Sequence, residues 1–351
     1  MVNENLYEIV KNKICDEIFE GHYEDGDRIP PERELEELLH VSRVTVRRSL
    51  EILEEDGLVV REVGRGTRVT LRNVGNKGEL DMVVLIAPAR NPFFSEFIAR
   101  FQNHAQEEGA LLLYVEKPRA EELERCLYRL YKRGLRNVVV WLDDMTADPD
   151  KLKRLRALGM NLVFFDTDKG LPYADCIALD NSLAVQTLYE ALRRRGYEDV
   201  VYIGWNLQDA YSIRMREQAY RKMAGPAARL LILPWKDAER SAAMLEELLV
   251  SGKEAMADAV ICSDRESGEL TAELCKRTGS DIQIAAVDEL SKNDSAQVIM
   301  YRQNLNAAVK QIFTSLQNQC GMAGGWVADL YLMEGILEEG SKASDETGIV
   351  G

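Results

Sequence analysis

The sequence predicts an α/β protein in two parts, a small N-terminal winged helix-turn-helix followed by a longer body of two α/β lobes. Three observations predict it. Three short amphipathic helices and a glycine-tipped hairpin occupy the first seventy or so residues; apolar runs then alternate with amphipathic helices at the length of βαβ units; and those runs outnumber the strands of one comfortable doubly wound sheet. A chain of 351 residues has room for two or three domains.

In chain order, Leu6, Ile9, Val10, Ile14 and Ile18 fall on one helical stripe that Gly21 ends. After the turn "YEDGDRIP", Pro31 suits a first helical position, and "ERELEELLH" forms a second helix. Ser42 is a good N-cap for a third, with Val46, Leu50 and Leu53 stacked inward and Gly57 as terminator. The strands "LVVRE" and "TRVTLR" flank the hairpin tip "VGRG". In a winged helix-turn-helix the third helix enters the major groove. Residues 71–80, "LRNVGNKGEL", lack apolar periodicity and read as a linker. The boundaries expected are therefore a head over 1–72, a linker over 73–80 and a body over 81–351. The first lobe begins with "DMVVLIAP" and runs to "NLVFFD"; the second runs from "SLAVQTLYEALRRRG" to "IQIAAVD". Clefts between such lobes are common ligand sites.

Composition excludes several classes. The chain is 46% hydrophobic and 29% charged, which is neither disordered nor fibrous. No apolar run reaches the length of a membrane span, and the N-terminus lacks a signal peptide's apolar core, so a cytoplasmic protein without membrane contact is expected. Cys15, Cys126, Cys176, Cys262, Cys275 and Cys320 lack the paired spacing of a metal or redox site and read as reduced, buried thiols. Only His22, His40 and His104 are present, none at a strand end; "GRGT" lies in a hairpin and not in a phosphate loop. No enzyme, cofactor or metal is expected.

The formal net charge is −15, yet Arg43, Arg47 and Arg48 gather on the first turns of the third helix. With Val46, Leu50 and Leu53 inward, Arg43, Thr45, Arg47 and Arg48 point outward, at the part of the motif that reaches base edges. Glu51, Glu54, Glu55 and Asp56 crowd the far end, where carboxylates repel phosphate. The alternative is a solvated face of spaced arginine–glutamate pairs.

The order of pieces adds a resemblance. "PERELE", "VSRVTVRRSLEILEEDGLV" and "GRGT", at their spacing over roughly residues 5–70, closely resemble the DNA-binding domain of GntR-family bacterial transcription regulators. That resemblance assigns DNA contact to Arg33, to Ser42, Arg43, Thr45 and Arg47, and to Arg65 and Gly66 at the wing tip. The chain departs from the pattern at His40, where glycine is usual, and at Arg68, where an aromatic is common; His40 reads as a turn residue. The remainder, through "NPFFSEFIARFQNHAQEEGALLLYVE", "DCIALDNSLAVQTLYEALRRRGYEDVVYIGW", "ADAVICSDRESGELTAEL" and "DIQIAAVDEL", resembles the effector domain of LacI-type repressors, a periplasmic-binding-protein-like fold. A GntR-type head on a LacI-type body is similar to the bacterial arabinose repressors.

Strand ends line an α/β crevice, and sugars need bidentate polar groups and an apolar face. The candidates are Phe93, Phe94 and Ser95 after the first strand, Trp141 and Asp143 after "NVVVWL", Asp166 ending "NLVFFD", Trp205 ending "DVVYIGW", Arg216, and Asp264. The resemblance makes Arg216 and Asp264 effector ligands, although Ala219 replaces a usual glycine. For Phe93 and Phe94 the alternative is packing of the lobe, and for Asp143 and Asp166 a solvated loop carboxylate or a helix cap. Asp180 and Asn181 read as a turn and cap. The function expected is a homodimeric repressor that binds double-stranded operator DNA and is released by a sugar-like effector; the alternatives are a sugar-binding receptor or, last, a carbohydrate enzyme.

Overall fold

The computed structural model describes residues 5–62, 66–71, 80–87, 92–116, 122–141, 146–250, 257–290, 298–321 and 325–339. Arg65, Asp143, the side chain of Phe93 and most of the expected linker lie outside the described residues.

The head is a winged helix-turn-helix: α1 (Leu6–Glu20), α2 (Glu32–Leu39) and α3 (Arg43–Glu55), then β1 (Val59–Glu62) paired antiparallel with β2 (Gly66–Val69). Gly21 stops α1 in the left-handed region at φ 82°, a conformation cheap only for glycine. Pro31 is the N-cap of α2 rather than its first helical residue, because the helix starts at Glu32. The single stripe expected of α1 is corrected. Leu6 and Ile9 are exposed; Val10, Ile14 and Ile18 are buried, and so are Cys15 and Phe19 on a second side of the helix.

The body contains two sheets of six described strands each. The first has the order β13-β7-β6-β5-β3-β4, with β3 (Met82–Ile86), β4 (Leu111–Val115), β5 (Asn137–Val140), β6 (Asn161–Phe165), β7 (Asp175–Leu179) and β13 (Leu330–Met333). The second has the order β14-β12-β11-β10-β8-β9, with β8 (Val200–Trp205), β9 (Arg229–Leu233), β10 (Ala259–Cys262), β11 (Gln283–Val287), β12 (Ile299–Arg302) and β14 (Ile336–Glu339). In each, five strands run parallel in the same relative order, and β14 closes the second antiparallel to β12. Central strands such as β5 and β10 are buried end to end, which is why they read as unbroken apolar runs.

The helices are α4 (Pro92–Glu107), α5 (Leu123–Tyr131), α6 (Pro149–Ala157), α7 (Asn181–Arg194), α8 (Tyr211–Ala224), α9 (Ala238–Val250), α10 (Arg265–Thr278) and α11 (Leu305–Gly321). The chain divides into two compact units, one of residues 1–177 and 309–331, the other of 178–308 and 332–351. The two lobes are therefore not consecutive: α11 and the last strands return the chain to the first unit and then to the second. The head belongs to the first unit, and one apolar cluster runs through both it and the first lobe.

Candidate nucleic-acid interface and effector residues

Ser42 takes extended backbone ahead of α3, and its Oγ accepts from the Thr45 amide at 3.2 Å, supplying one of the helix's unmatched N-terminal donors with an acceptor. His40 stands in the left-handed region at φ 53°, closing α2 where the chain must turn tightly. Ser49 is buried and donates to the Tyr7 carbonyl at 2.6 Å, which locks α3 against α1. The opposite face is open: the side chains of Arg43 and Arg47 are 64% and 54% exposed, and Val44 is 79% exposed.

These arginines are not loose. Glu32 accepts from Arg43 Nε at 3.0 Å and from Arg47 Nη2 at 3.2 Å, so one carboxylate aligns both guanidinium forks. Arg47 first, then Arg43, holds the Glu32 carboxyl below its usual range against the opposing effect of burial. Exposed pairs of this kind are worth little, so phosphate or guanine can displace the carboxylate at small cost. Arg33 pairs with Glu37, and Arg48 with Glu51 and Glu55. Arg48 thus fits the spaced-pair alternative, and Arg43 and Arg47 do not. At the wing, Gly66 has φ 89° and open space where a Cβ would stand, so backbone can approach a partner closely there. Arg68 donates to the Gly26 carbonyl at 2.7 Å, tying the wing to the turn before α2.

In each sheet the strand order reverses between two neighbours, β3/β5 and β8/β10, and crevices open at the carboxyl ends of such pairs. In the first unit, Phe94 of α4 lies 5.8 Å from Trp141 at the end of β5 and 5.5 Å from Tyr114, ring centre to ring centre. Phe97 and Phe165 also pack against Trp141. Phe94 and Trp141 are both buried, so little of either ring face is open. Ser95 is exposed. Asp166 follows β6 at φ 58°, unusual for a residue with a side chain, its amide donating to Ile177.

In the second unit, Trp205 donates from Nε1 to Asp264 Oδ2 at 2.7 Å, while Asp264 Oδ1 accepts from the Ser267 amide and caps α10. Arg216 is 3% exposed; its Nε donates to Asn181 Oδ1 at 2.7 Å and its Nη1 to the Ser263 carbonyl. Asp180, as read from sequence, caps α7, but Asn181 also holds Arg216. Asp288 follows β11 at φ 75° and accepts from Gln303 at 2.9 Å. Burial pushes its carboxyl up, and the Arg216 charge opposes that. A concavity of about 400 Å³ is lined by Trp205, Trp235, Asp237, Ser241, Glu266 and Leu270, with the two indoles edge to face at 5.1 Å. Aromatic surface beside carboxylates and a hydroxyl suits a polyol's C–H face and O–H groups.

Residues 6–69 match the family model described as bacterial regulatory proteins, gntR family. The head is of the gntR type. Over 71 residues, 20% of this chain, it is 39% identical to a protein of Escherichia coli K12 named as a probable fructoselysine utilization operon transcriptional repressor. That stretch spans only 29% of the relative's length. The body has the fold of LacI-type regulators and periplasmic binding proteins. It superposes on a LacI transcriptional regulator from a Rhodococcus species with TM-score 0.60 at 15% identity, covering 74% of this chain and 96% of that one. It also superposes on a periplasmic binding protein/LacI transcriptional regulator from Alkaliphilus metalliredigens, solved with D-xylulofuranose, with TM-score 0.58 at 14% identity, covering 74% and 98%.

On the gntR-type head, Arg33, Ser42, Arg43, Thr45, Arg47 and Gly66 are all described, and α3 carries Arg43, Thr45 and Arg47 on its first turns behind the Ser42 cap. Val44 went unremarked in the sequence, although a position two before inward-facing Val46 lies about 200° round a helix. Trp235, Asp237 and Asp288 were missed as well. Trp235 and Asp237 lie just beyond an edge strand and Asp288 ends "AAVD", so all three satisfied the strand-end criterion that picked out Trp205.

Proposed function

We propose that this chain is a cytoplasmic DNA-binding transcription regulator, a homodimeric repressor that a small sugar-like effector releases from its operator. The observation that carries the reading is a recognition helix whose Arg43 and Arg47 are aligned outward by Glu32, joined in one chain to a body with a sugar-binder's fold. Arg33, Ser42, Thr45, Arg65 and Gly66 complete the DNA face in this reading. In this reading the second unit offers the effector Trp205, Trp235, Arg216, Asp264 and Asp288; the first unit offers Ser95, Trp141 and Asp166, with Phe94 packed on Trp141, and Phe93 and Asp143 are candidates from the sequence alone. A sugar is supported by the D-xylulofuranose bound in the Alkaliphilus neighbour and the fructoselysine named for the Escherichia coli relative. A dimer suits reading of two half-sites, and the edge strand β4 carries the exposed Leu111 and Leu113 that a second copy would cover. Regulation fits better than catalysis because His22 lies in the turn after α1 and His104 within α4, both away from the strand ends where the effector candidates lie.

A gel shift on DNA upstream of the protein's own operon, with and without monosaccharides, tests the proposal. Retarded DNA freed by one sugar supports it; no retardation at low salt overturns it. In the same assay Arg47→Ala is expected to weaken operator binding by about 1–3 kcal/mol, with relaxed specificity at one position for a base contact and a uniform loss for a phosphate contact. Unchanged affinity at fixed salt removes α3 from the interface.

A further inference from the structure

A three-helix head that folds on its own needs one apolar stripe on its first helix. α1 has two. Val10, Ile14 and Ile18 are buried in one apolar cluster with Val46, Leu50 and Leu53 of α3, and in the same cluster Phe19 stacks face to face on Tyr128 of α5, ring centres 4.1 Å apart and planes within 2°. Beside them, Cys15 Sγ lies 3.4 Å from the Tyr131 hydroxyl, and both residues are buried.

Around this apolar contact the charges are complementary. Asp16 accepts from the Tyr128 hydroxyl at 2.6 Å and from Lys132 at 2.9 Å; Glu20 faces Arg125 at 3.5 Å; Glu24 pairs with Arg154 of α6 at 2.6 Å. In these three pairs the head supplies the carboxylate and the lobe the cation. Gly21 closes the fit from the head's side: a Cβ there would stand 2.9 Å from Arg154 Nη2, so the residue that ends α1 also lets the lobe's arginine lie across it.

We propose that this seat, α1 held on α5 and α6, makes head and first lobe a single moving body and is the contact through which the effector acts on DNA reading. The proposal rests on the regulator reading above. A linker alone passes on no orientation; a packed interface with its own ion pairs does, because turning the lobe turns the axis of α1, and α3 with it through the Ser49–Tyr7 bond. An effector shifts DNA affinity only through contacts that differ between two states, and the seat gives the head a stake in the state of its lobe. Phe19, Asp16 and Lys132 are then positioning residues that touch neither DNA nor sugar.

The test uses the full chain with a dye on Leu38→Cys of the exposed face of α2, read by time-resolved anisotropy, beside operator titrations with and without the releasing sugar. Asp16 is partly solvent-exposed, so Asp16→Lys sets like charges against Lys132 without emptying a core. The head of the otherwise unaltered chain is expected to tumble with the whole protein, and that of Asp16→Lys several-fold faster. Sugar affinity should stay within two-fold, while the ratio of operator dissociation constants with and without sugar falls at least five-fold. The swapped pair Asp16→Lys with Lys132→Asp should restore both. A head that already tumbles freely in the unaltered chain, or an Asp16→Lys protein released as fully as its parent, overturns the seat. A parent chain that binds no DNA overturns the regulator reading and the relay with it, and the anisotropy still reports whether the head is held.

Discussion

Arg216→Ala is expected to cost the second unit about 2–6 kcal/mol, about 1–3 kcal/mol for each buried acceptor left without its donor. Arg216 is almost wholly buried, and its truncation strands Asn181 Oδ1 and the Ser263 carbonyl, two buried acceptors without their donor. Urea unfolding followed by Trp205 and Trp235 fluorescence measures the loss; a shift below about 1 kcal/mol means that the site collapses and re-pairs. Because the alanine variant confounds folding with binding, Arg216→Lys is the cleaner probe of effector response. It keeps the charge and loses the planar fork, so effector binding should weaken about ten- to a hundred-fold while operator affinity without effector is unchanged. In cells the lysine variant should stay repressed at sugar levels that induce the parent. Normal induction makes Arg216 a purely structural arginine. The neighbouring Asp288 adds a pH signature. Its carboxyl is raised from an ordinary value of 3.8, so its contribution to stability is full below pH 3.8 and is lost as pH rises through the raised value. Loss of the arginine's charge widens that window upward in Arg216→Ala.

A comparable loss is expected in the first unit from Arg156→Met. Arg156 is 1% exposed, lies over the Trp326 ring at 4.2 Å, and donates through Nη1 to Met160 O at 2.8 Å, Gln319 Oε1 at 3.0 Å and Asn161 Oδ1. Burial pushes its guanidinium down to about 10, so it remains charged at neutral pH. Methionine replaces the volume but none of the donors. Gln319 is shared: its Oε1 also accepts from the Leu162 amide, and its Nε2 donates to the buried carboxylate of Asp175, which Trp326 and the Asp329 amide also reach. Breaking this network should lower stability by about 3–5 kcal/mol and loosen α11 from β6, since the remaining polar groups stay buried. Thermal unfolding and amide exchange at Leu162 check it. An unfolding midpoint within a degree or two of the parent's removes the network from the stability of this unit.

What the sequence by itself determined lies within a few turns of chain. The α3 stripe of Val46, Leu50 and Leu53, the Ser42 cap, the outward arginines and the strand–helix alternation all follow from repeats of two or three to four residues. Those are properties of one element facing one core, and they stand in the structure as read. Contacts between distant segments were not legible. Phe19 looks like any residue of an amphipathic helix until Tyr128 is placed against it, and Cys15 meets Tyr131 across 116 residues. Arg216 reads as a ligand because a strand precedes it; only the packed lobe reveals Asn181 and Ser263 as its partners. The return of α11 to the first unit, and the network it completes through Gln319, likewise has no local signature. The physical reason is common to these cases. Hydrophobic period is set by the geometry of one helix or strand, whereas the partner of a buried charge or a stacked ring is chosen by whichever group the folded chain brings within bonding distance, and tertiary packing alone decides which group that is.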